Sequence, residues 1–160
     1  MAEKKTYVIV RDANPDTLVI HCGDARMQGA FAEFISQELS LSMGQYVLFV
    51  PRGGGGQLLN PMTLPKEFKS MKDTIEFYCG HFRGIKRIVV INHEDCGYYK
   101  ALAEKVAGVA AGAHIDPHKS LPVIGKIITD LLGHLGMKLE LYFAKFADTE
   151  RTKVFFEKVQ

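Results

Sequence analysis

The sequence predicts an α/β fold: a mainly parallel central sheet flanked by helices on both faces, with a C-terminal segment able to form an antiparallel hairpin. Three short runs, residues 17–22, 45–50 and 86–92, are largely apolar and rich in β-branched and aromatic residues, the pattern of strands covered on both sides. Segments with helical periodicity separate them. The metal-type side chains Cys22, His93 and Cys96 fall just beyond two of these runs, at the carboxyl ends of strands, where open α/β sheets place their ligand sites.

Each element has its own justification. Residues 6–10 are a short β-rich run before a turn at Asn14-Pro15, read as either an edge strand or an arm laid on a partner subunit. Residues 17–22 are the first central strand. The helix predicted over 28–39 carries Phe31, Phe34, Ile35 and Leu39 on one buried face. The strand at 45–50 runs into Pro51-Arg52 and then Gly53, Gly54, Gly55 and Gly56. Such a run suits no core-packing role. It permits backbone conformations closed to other residues and the close approach of a ligand, or else forms a loose surface loop.

A long helix over 64–82 puts Phe68, Met71, Ile75, Tyr78, Cys79 and Phe82 on one stripe, with Gly84 as its C-cap. The strand at 86–92 delivers His93. The alanine-rich stretch 98–111 is helical and starts just after Cys96, placing that sulfur near a helix N-terminus, where the macrodipole favours a thiolate. A loop with His114 and His118 covers 112–119. Ser120 is the expected N-cap of a helix over 121–135 that ends at Gly136. Residues 138–146 alternate Leu139, Leu141 and Phe143 on one face, a strand, and 153–159 pairs with it after a turn at 148–150.

Composition bounds the function. At 160 residues the chain is a single domain, 1–160, able to bury about two-thirds of its unfolded surface. Hydrophobic content of 47% and charged content of 24% are those of a soluble globular protein. A formal charge of +2 with no Lys/Arg stripe argues against nucleic-acid binding. No stretch is long enough to span a membrane, and the first residues do not form a secretory signal. Of the three cysteines, Cys22 and Cys96 suit a metal better than a disulfide, in a reducing cytoplasm, and Cys79 reads as core.

The chemistry concentrates in Cys22-Gly23-Asp24-Ala25-Arg26 and His93-Glu94-Asp95-Cys96. Two thiolates and an imidazole are a zinc set, and three protein ligands leave a fourth position open for water or substrate. Extended geometry puts Cys22, Asp24 and Arg26 on one side, the carboxylate beside the metal and the guanidinium behind it. His21 points to the opposite face of its strand. His21, His81, His114, His118 and His134 have no ligand spacing to the motif and read mostly as surface or capping residues, with His114 or His118 able to shuttle protons.

The pairing of C-x-D-x-R with a later H-x-x-C resembles the β-class carbonic anhydrases, over roughly residues 17–99, and looks closer to their small microbial and archaeal-type members. The resemblance implies that Cys22, His93 and Cys96 hold zinc, with Asp24 and Arg26 as the catalytic pair beside it. It implies that the loop Gly53, Gly54, Gly55 and Gly56 lines the substrate pocket, its backbone N–H groups available to a substrate or product anion. The implied activity is reversible hydration of carbon dioxide to bicarbonate by a zinc-bound hydroxide, that of a carbonate dehydratase, a lyase. The implied assembly is a homo-oligomer, a dimer or multiple of dimers with active sites at a subunit interface; Phe31, Phe34, Tyr46 and Tyr78 fit such a surface. Two departures stand out. After Arg52 the family usually carries Asn-Ala-Gly-Asn, and here there is glycine throughout. Tyr98 and Tyr99 stand where members commonly have smaller residues, and either close the pocket more tightly or begin a buried helix face. The same residues also fit a hydrolase of carbonyl sulfide or carbon disulfide, or a non-catalytic zinc-binding relative.

Overall fold

The computed structural model describes residues 4–106 and 115–160; the expected continuation of the third helix to 111, and His114, lie outside them. Among the described residues the chain runs β1 (Thr17–His21), α1 (Gln28–Gln37), β2 (Tyr46–Phe49), α2 (Pro65–His81), β3 (Arg87–His93), α3 (Gly97–Val106), α4 (Leu121–Leu132), β4 (Lys138–Phe146) and β5 (Val154–Lys158). The strands form one sheet in the order β2-β1-β3-β4-β5, parallel except for the β4–β5 pair. The α/β class and the antiparallel C-terminal hairpin expected from the sequence are both present.

The strand order fixes where the site forms. The chain begins in the middle of the sheet at β1, crosses outward through α1 to β2, then returns through α2 to β3 on the other side of β1. Right-handed crossovers in opposite directions send α1 and α2 to opposite faces, so their connections part between β1 and β3. Cys22 follows the last residue of β1, and His93 is the last residue of β3.

Alternation along the strands fills both faces. Leu18, Ile20, Ile88, Val90 and Leu141 meet Met71, Ile75 and Cys79 of α2 and Ile124 and Ile128 of α4. Val19, Val89, Ile91 and Ala144 meet Phe31, Phe34 and Ile35 of α1. Cys79 is a core residue, and burial pushes its thiol up to about 11.

Several expectations are corrected. Phe31 and Phe34, read as part of an oligomer surface, are buried within the chain. Phe34 stacks on Phe156 of β5 at 4.0 Å and Phe31 lies 4.4 Å from the His21 ring, because α1 turns its whole aromatic face onto the sheet. Residues 6–10 form no strand within the chain; Tyr7, Val8, Ile9 and Val10 are exposed. Helix α2 ends at His81 and is capped by the Phe82 amide on the Tyr78 carbonyl, so Gly84 is not its C-cap. Gly84 is glycine because the chain passes Pro15 there, where an added Cβ would lie 2.8 Å from the Pro15 carbonyl oxygen. Ser120 stands at the N-cap of α4 as expected, although its side chain makes no cap hydrogen bond. That helix stops at Leu132, and a 3-10 turn, Gly133–Leu135, leads to Gly136 at φ +66°. His21 is buried rather than at the surface, as its place in a strand covered on both faces requires.

The glycine run is also corrected. Gly53 to Gly56 are all buried, and Gly54–Leu58 is a 3-10 helix tucked against the sheet. It is neither a loose loop nor free of core packing. An added Cβ at Gly55 would stand 2.8 Å from Ile124 of α4.

Truncating Phe31, fully buried between sheet and helix, is expected to cost about 3–5 kcal/mol of folding free energy. Urea unfolding of Phe31→Ala measures it; a loss confined to subunit association, with the monomer unaffected, would return this residue to an interface.

Candidate metal centre

The two halves of the motif meet at the β1–β3 divergence. The ligating atoms of Cys22, His93 and Cys96 all lie within 4.8 Å of one another, and all three residues are buried. The two sulfurs are 3.8 Å apart. Two zinc–sulfur bonds of about 2.3 Å opened to the tetrahedral angle span about the same distance. The imidazole is set for ligation too. Its Nδ1 lies 2.8 Å from the Glu94 carbonyl oxygen, which only accepts, so Nδ1 carries a proton and in the neutral ring the lone pair is on Nε2. Nε2 is buried and has no hydrogen-bond partner among the described residues. A histidine with one nitrogen tied to a carbonyl and the other bare toward two sulfurs is the arrangement metal-binding histidines use. The donor set therefore fits a soft-to-borderline divalent cation such as zinc.

The electrostatics point the same way. The neighbouring Cys96 thiol first, then His93 and the Gly53 amide, which donates to Cys22 Sγ at 3.3 Å, hold the Cys22 thiol down at about 4 against burial. The Cys22 sulfur beside it, together with burial, pushes Cys96 far up, although the amides of Tyr98 and Tyr99 at the start of α3 favour its thiolate. Each sulfur, once ionised, thus opposes ionisation of the other. A cation between the sulfurs removes the repulsion that stops the second from ionising.

Asp24 and Arg26 sit beside this group. Asp24 Oδ2 is 3.9 Å from His93 Nε2 and 2.7 Å from Arg26 Nη2, and Arg26 Nε donates to Oδ1 at 3.1 Å. The bidentate guanidinium keeps the Asp24 carboxyl below the usual carboxylate range. Arg26 reaches further: Nη1 donates to Asp95 Oδ2 at 3.0 Å, and Nη2 to the Asp95 carbonyl at 3.0 Å. Asp95, at φ +58°, also receives Lys100 and Arg151. Lys100 first, then Arg26, hold its carboxyl down at about 2.

The sequence reading passed over Asp95, Gln28 and Asn92. Gln28 Nε2 ties the Cys22 and Asp24 carbonyls at 3.0 and 2.7 Å, shaping the loop between them. Asn92 donates to Tyr99 Oη and to the Pro117 carbonyl, both at 2.9 Å, and accepts from Gly55. Asp95 is one of two unassigned carboxylates, with Glu94, between His93 and Cys96; nothing local marks Gln28 or Asn92.

The four glycine amides all have internal acceptors. Gly53 donates to Cys22 Sγ, Gly54 to the Pro51 carbonyl, Gly55 to Asn92 Oδ1 and Gly56 to the Gly53 carbonyl. The expectation that they receive an anion finds no free donor among them. His118 pairs with Glu157 at 3.0 Å and packs edge-on to Phe143, away from the donor group. An open cleft of about 540 Å³ reaches Cys22, walled also by Asp24, Val50, Arg52, Gly53 and Tyr98 among others. Of the two tyrosines, Tyr98 lines the cleft and Tyr99 begins the buried face of α3.

No family model matches the chain, and no curated protein matches it. Solved structures do. A carbonic anhydrase from Streptococcus mutans superposes with a TM-score of 0.60 at 15% identity, covering 98% of this chain and 88% of that one. A carbonic anhydrase from Glaciozyma antarctica gives 0.53 at 15% identity, over 89% and 82% of the two chains. A match among two tetrameric β-carbonic anhydrases from the ascomycete Sordaria macrospora gives 0.51 at 14% identity, over 92% and 81%. At such identities the likeness is one of fold: this chain has the β-carbonic anhydrase fold.

In the metal-free chain, thiolate absorbance is expected to show one thiolate at neutral pH, with a midpoint of about 4, absent in Cys22→Ser. Folding lowers this group from the ordinary thiol value, so its contribution to stability is complete above that value and vanishes as pH falls through about 4. Two thiolates at neutral pH without metal would overturn the shared-charge description.

Proposed function

We propose that this protein is a zinc-dependent carbonic anhydrase, interconverting carbon dioxide and bicarbonate. The observation that carries the reading is the buried Cys22–His93–Cys96 group at the divergence of β1 and β3, with Asp24 clasped by Arg26 beside it. Cys22 Sγ, Cys96 Sγ and His93 Nε2 would hold the metal. Bound there, zinc supplies a Lewis acid that lowers the pKa of a water from 15.7 towards neutrality.

The chain's own residues do the rest. Cys22 and Cys96 bring negative charge that softens the Lewis acid, and Asp24 offsets this as a hydrogen-bond acceptor next to the donor group. Arg26 keeps Asp24 ionised and occupied, so that its carboxylate stays with the guanidinium rather than turning to the metal. Val50, Tyr98 and Ala101 give the cleft apolar surface for a linear, uncharged substrate. Arg52, on the same wall, places a cation where the anionic product leaves.

Other properties belong to the same reading. We place the chain as one domain, 1–160, in a reducing cytoplasm, consistent with three free cysteines; among the described residues no helix is long and apolar enough to cross a membrane. Its partner is a small molecule, and it assembles as a homo-oligomer. Supporting the assembly are the exposed arm Tyr7 to Val10, exposed Leu48 and Val50 on the edge strand β2 and beyond it, and a structural neighbour described as tetrameric.

Zinc-loaded protein is expected to hydrate carbon dioxide, measured by stopped-flow pH change beside parallel assays with carbonyl sulfide and carbon disulfide. Cys22→Ser, His93→Ala and Cys96→Ser each lose zinc and stability, and Cys79→Ser retains one zinc per chain. Zinc at one per chain with no hydration at any pH would mark a non-catalytic relative, and turnover of only the sulfur gases would mark a hydrolase.

Arg26→Ala is expected to keep its zinc yet lose about 100-fold in hydration rate, because Asp24 is freed to occupy the open position. X-ray absorption checks this by an added carboxylate oxygen around zinc. A variant hydrating at the normal rate would show that the pair is not a gate.

A further inference from the structure

The glycine run and Tyr98 are built around each other. A Cβ at residue 53 would lie 2.1 Å from Tyr98 Cδ1, and one at residue 56 would lie 2.9 Å from Tyr98 Cε1. The ring is therefore seated directly on this stretch of backbone. Behind it, Tyr99 meets the ring edge-on at 5.8 Å, and in front the Arg52 guanidinium lies 6.0 Å from its centre. The Tyr98 hydroxyl contributes nothing to this: it is buried and has no hydrogen-bond partner among the described residues. A buried, unpaired hydroxyl costs stability. What the position uses is the flat ring.

The ring presses on the residue that reaches the metal group. Gly53, at φ +76°, directs its amide onto Cys22 Sγ at 3.3 Å. That backbone conformation is one a glycine leaves easily, having no side chain to limit it. We propose that Tyr98 is a positioning residue of the metal centre: its ring pins Gly53 so that the Gly53 amide stays on the Cys22 sulfur. The inference rests on reading Cys22, His93 and Cys96 as the group that holds the metal. It accounts for the glycine run together with the tyrosine, since any side chain at 53 displaces the ring and the ring holds the amide. Groups that donate to a ligating atom fix its orientation and its charge.

Cobalt titration of the full-length, metal-free chain tests this, read by the thiolate-to-cobalt absorption band and by the dissociation constant. Tyr98→Phe retains the ring and is expected to match the parent protein in both. Tyr98→Ala is expected to bind cobalt about 10- to 100-fold more weakly. Its band should move to lower energy, since a thiolate that has lost an N–H donor gives up electron density more easily. Gly53→Ala is expected to shift the band the same way, and the double variant to be no worse than the single ones, because both break one contact. Should Tyr98→Ala not fold, Tyr98→Leu, which fills volume without a flat wall, is read in its place. A ring-less variant with band and affinity unmoved would overturn the inference and leave the metal centre standing. A parent chain with no thiolate band on cobalt addition would overturn both.

Discussion

Two sulfur atoms 3.8 Å apart in a protein interior cannot both be ionised unless something positive stands between or around them. Much of the surrounding architecture answers to that constraint. The Gly53 amide faces one sulfur, the start of α3 faces the other, and His93 Nε2 lies close to both, with no hydrogen-bond partner among the described residues. The parallel sheet supplies the place, because only between β1 and β3 do the connections part and leave two strand ends open side by side. His21 and Gln28 hold the Cys22 carbonyl from two directions, so the loop bearing the first sulfur has little freedom.

The legible part of this design was the part carried by local pattern. Strands such as Arg87–His93 are continuous apolar runs, and the helices bear their apolar residues at helical intervals, so both register in a single pass along the chain. The Cys22, His93 and Cys96 triad was legible because few combinations of residue type mean anything else. The glycine run was not. Its purpose is to leave room, and the room is demanded by Tyr98, Asn92 and Ile124, which arrive from distant parts of the chain. Gly84 is the same case, glycine for the sake of Pro15 rather than a helix end. Phe31 and Phe34 show the reverse error: an aromatic stripe is the same whether a sheet or a second subunit covers it, and here the sheet does.

Fold and chemistry stand in different relations to sequence in this molecule. About 15% identity is enough to keep the same sheet and crossovers as a carbonic anhydrase from Streptococcus mutans. Packing tolerates such divergence because apolar residues of similar volume replace one another. The site tolerates little, since it depends on particular atoms: a sulfur, an imidazole lone pair, a carboxylate and its guanidinium. Around those atoms the wall is made of glycine backbone packed against the Tyr98 ring.

The alternation of charge running from Asp24 through Arg26 and Asp95 to Lys100 and Arg151 lies at the surface, with Arg26 half in water. The sulfurs are largely buried, with Cys22 lining the cleft. Dissolved ions screen the first group over a distance of about 8 Å at physiological ionic strength and hardly touch the second. The two halves of one site thus meet different surroundings: the charged clasp is open to solvent ions and the sulfurs beneath are largely covered, so a change of ionic strength bears on Asp24 and Arg26 before it bears on the donors.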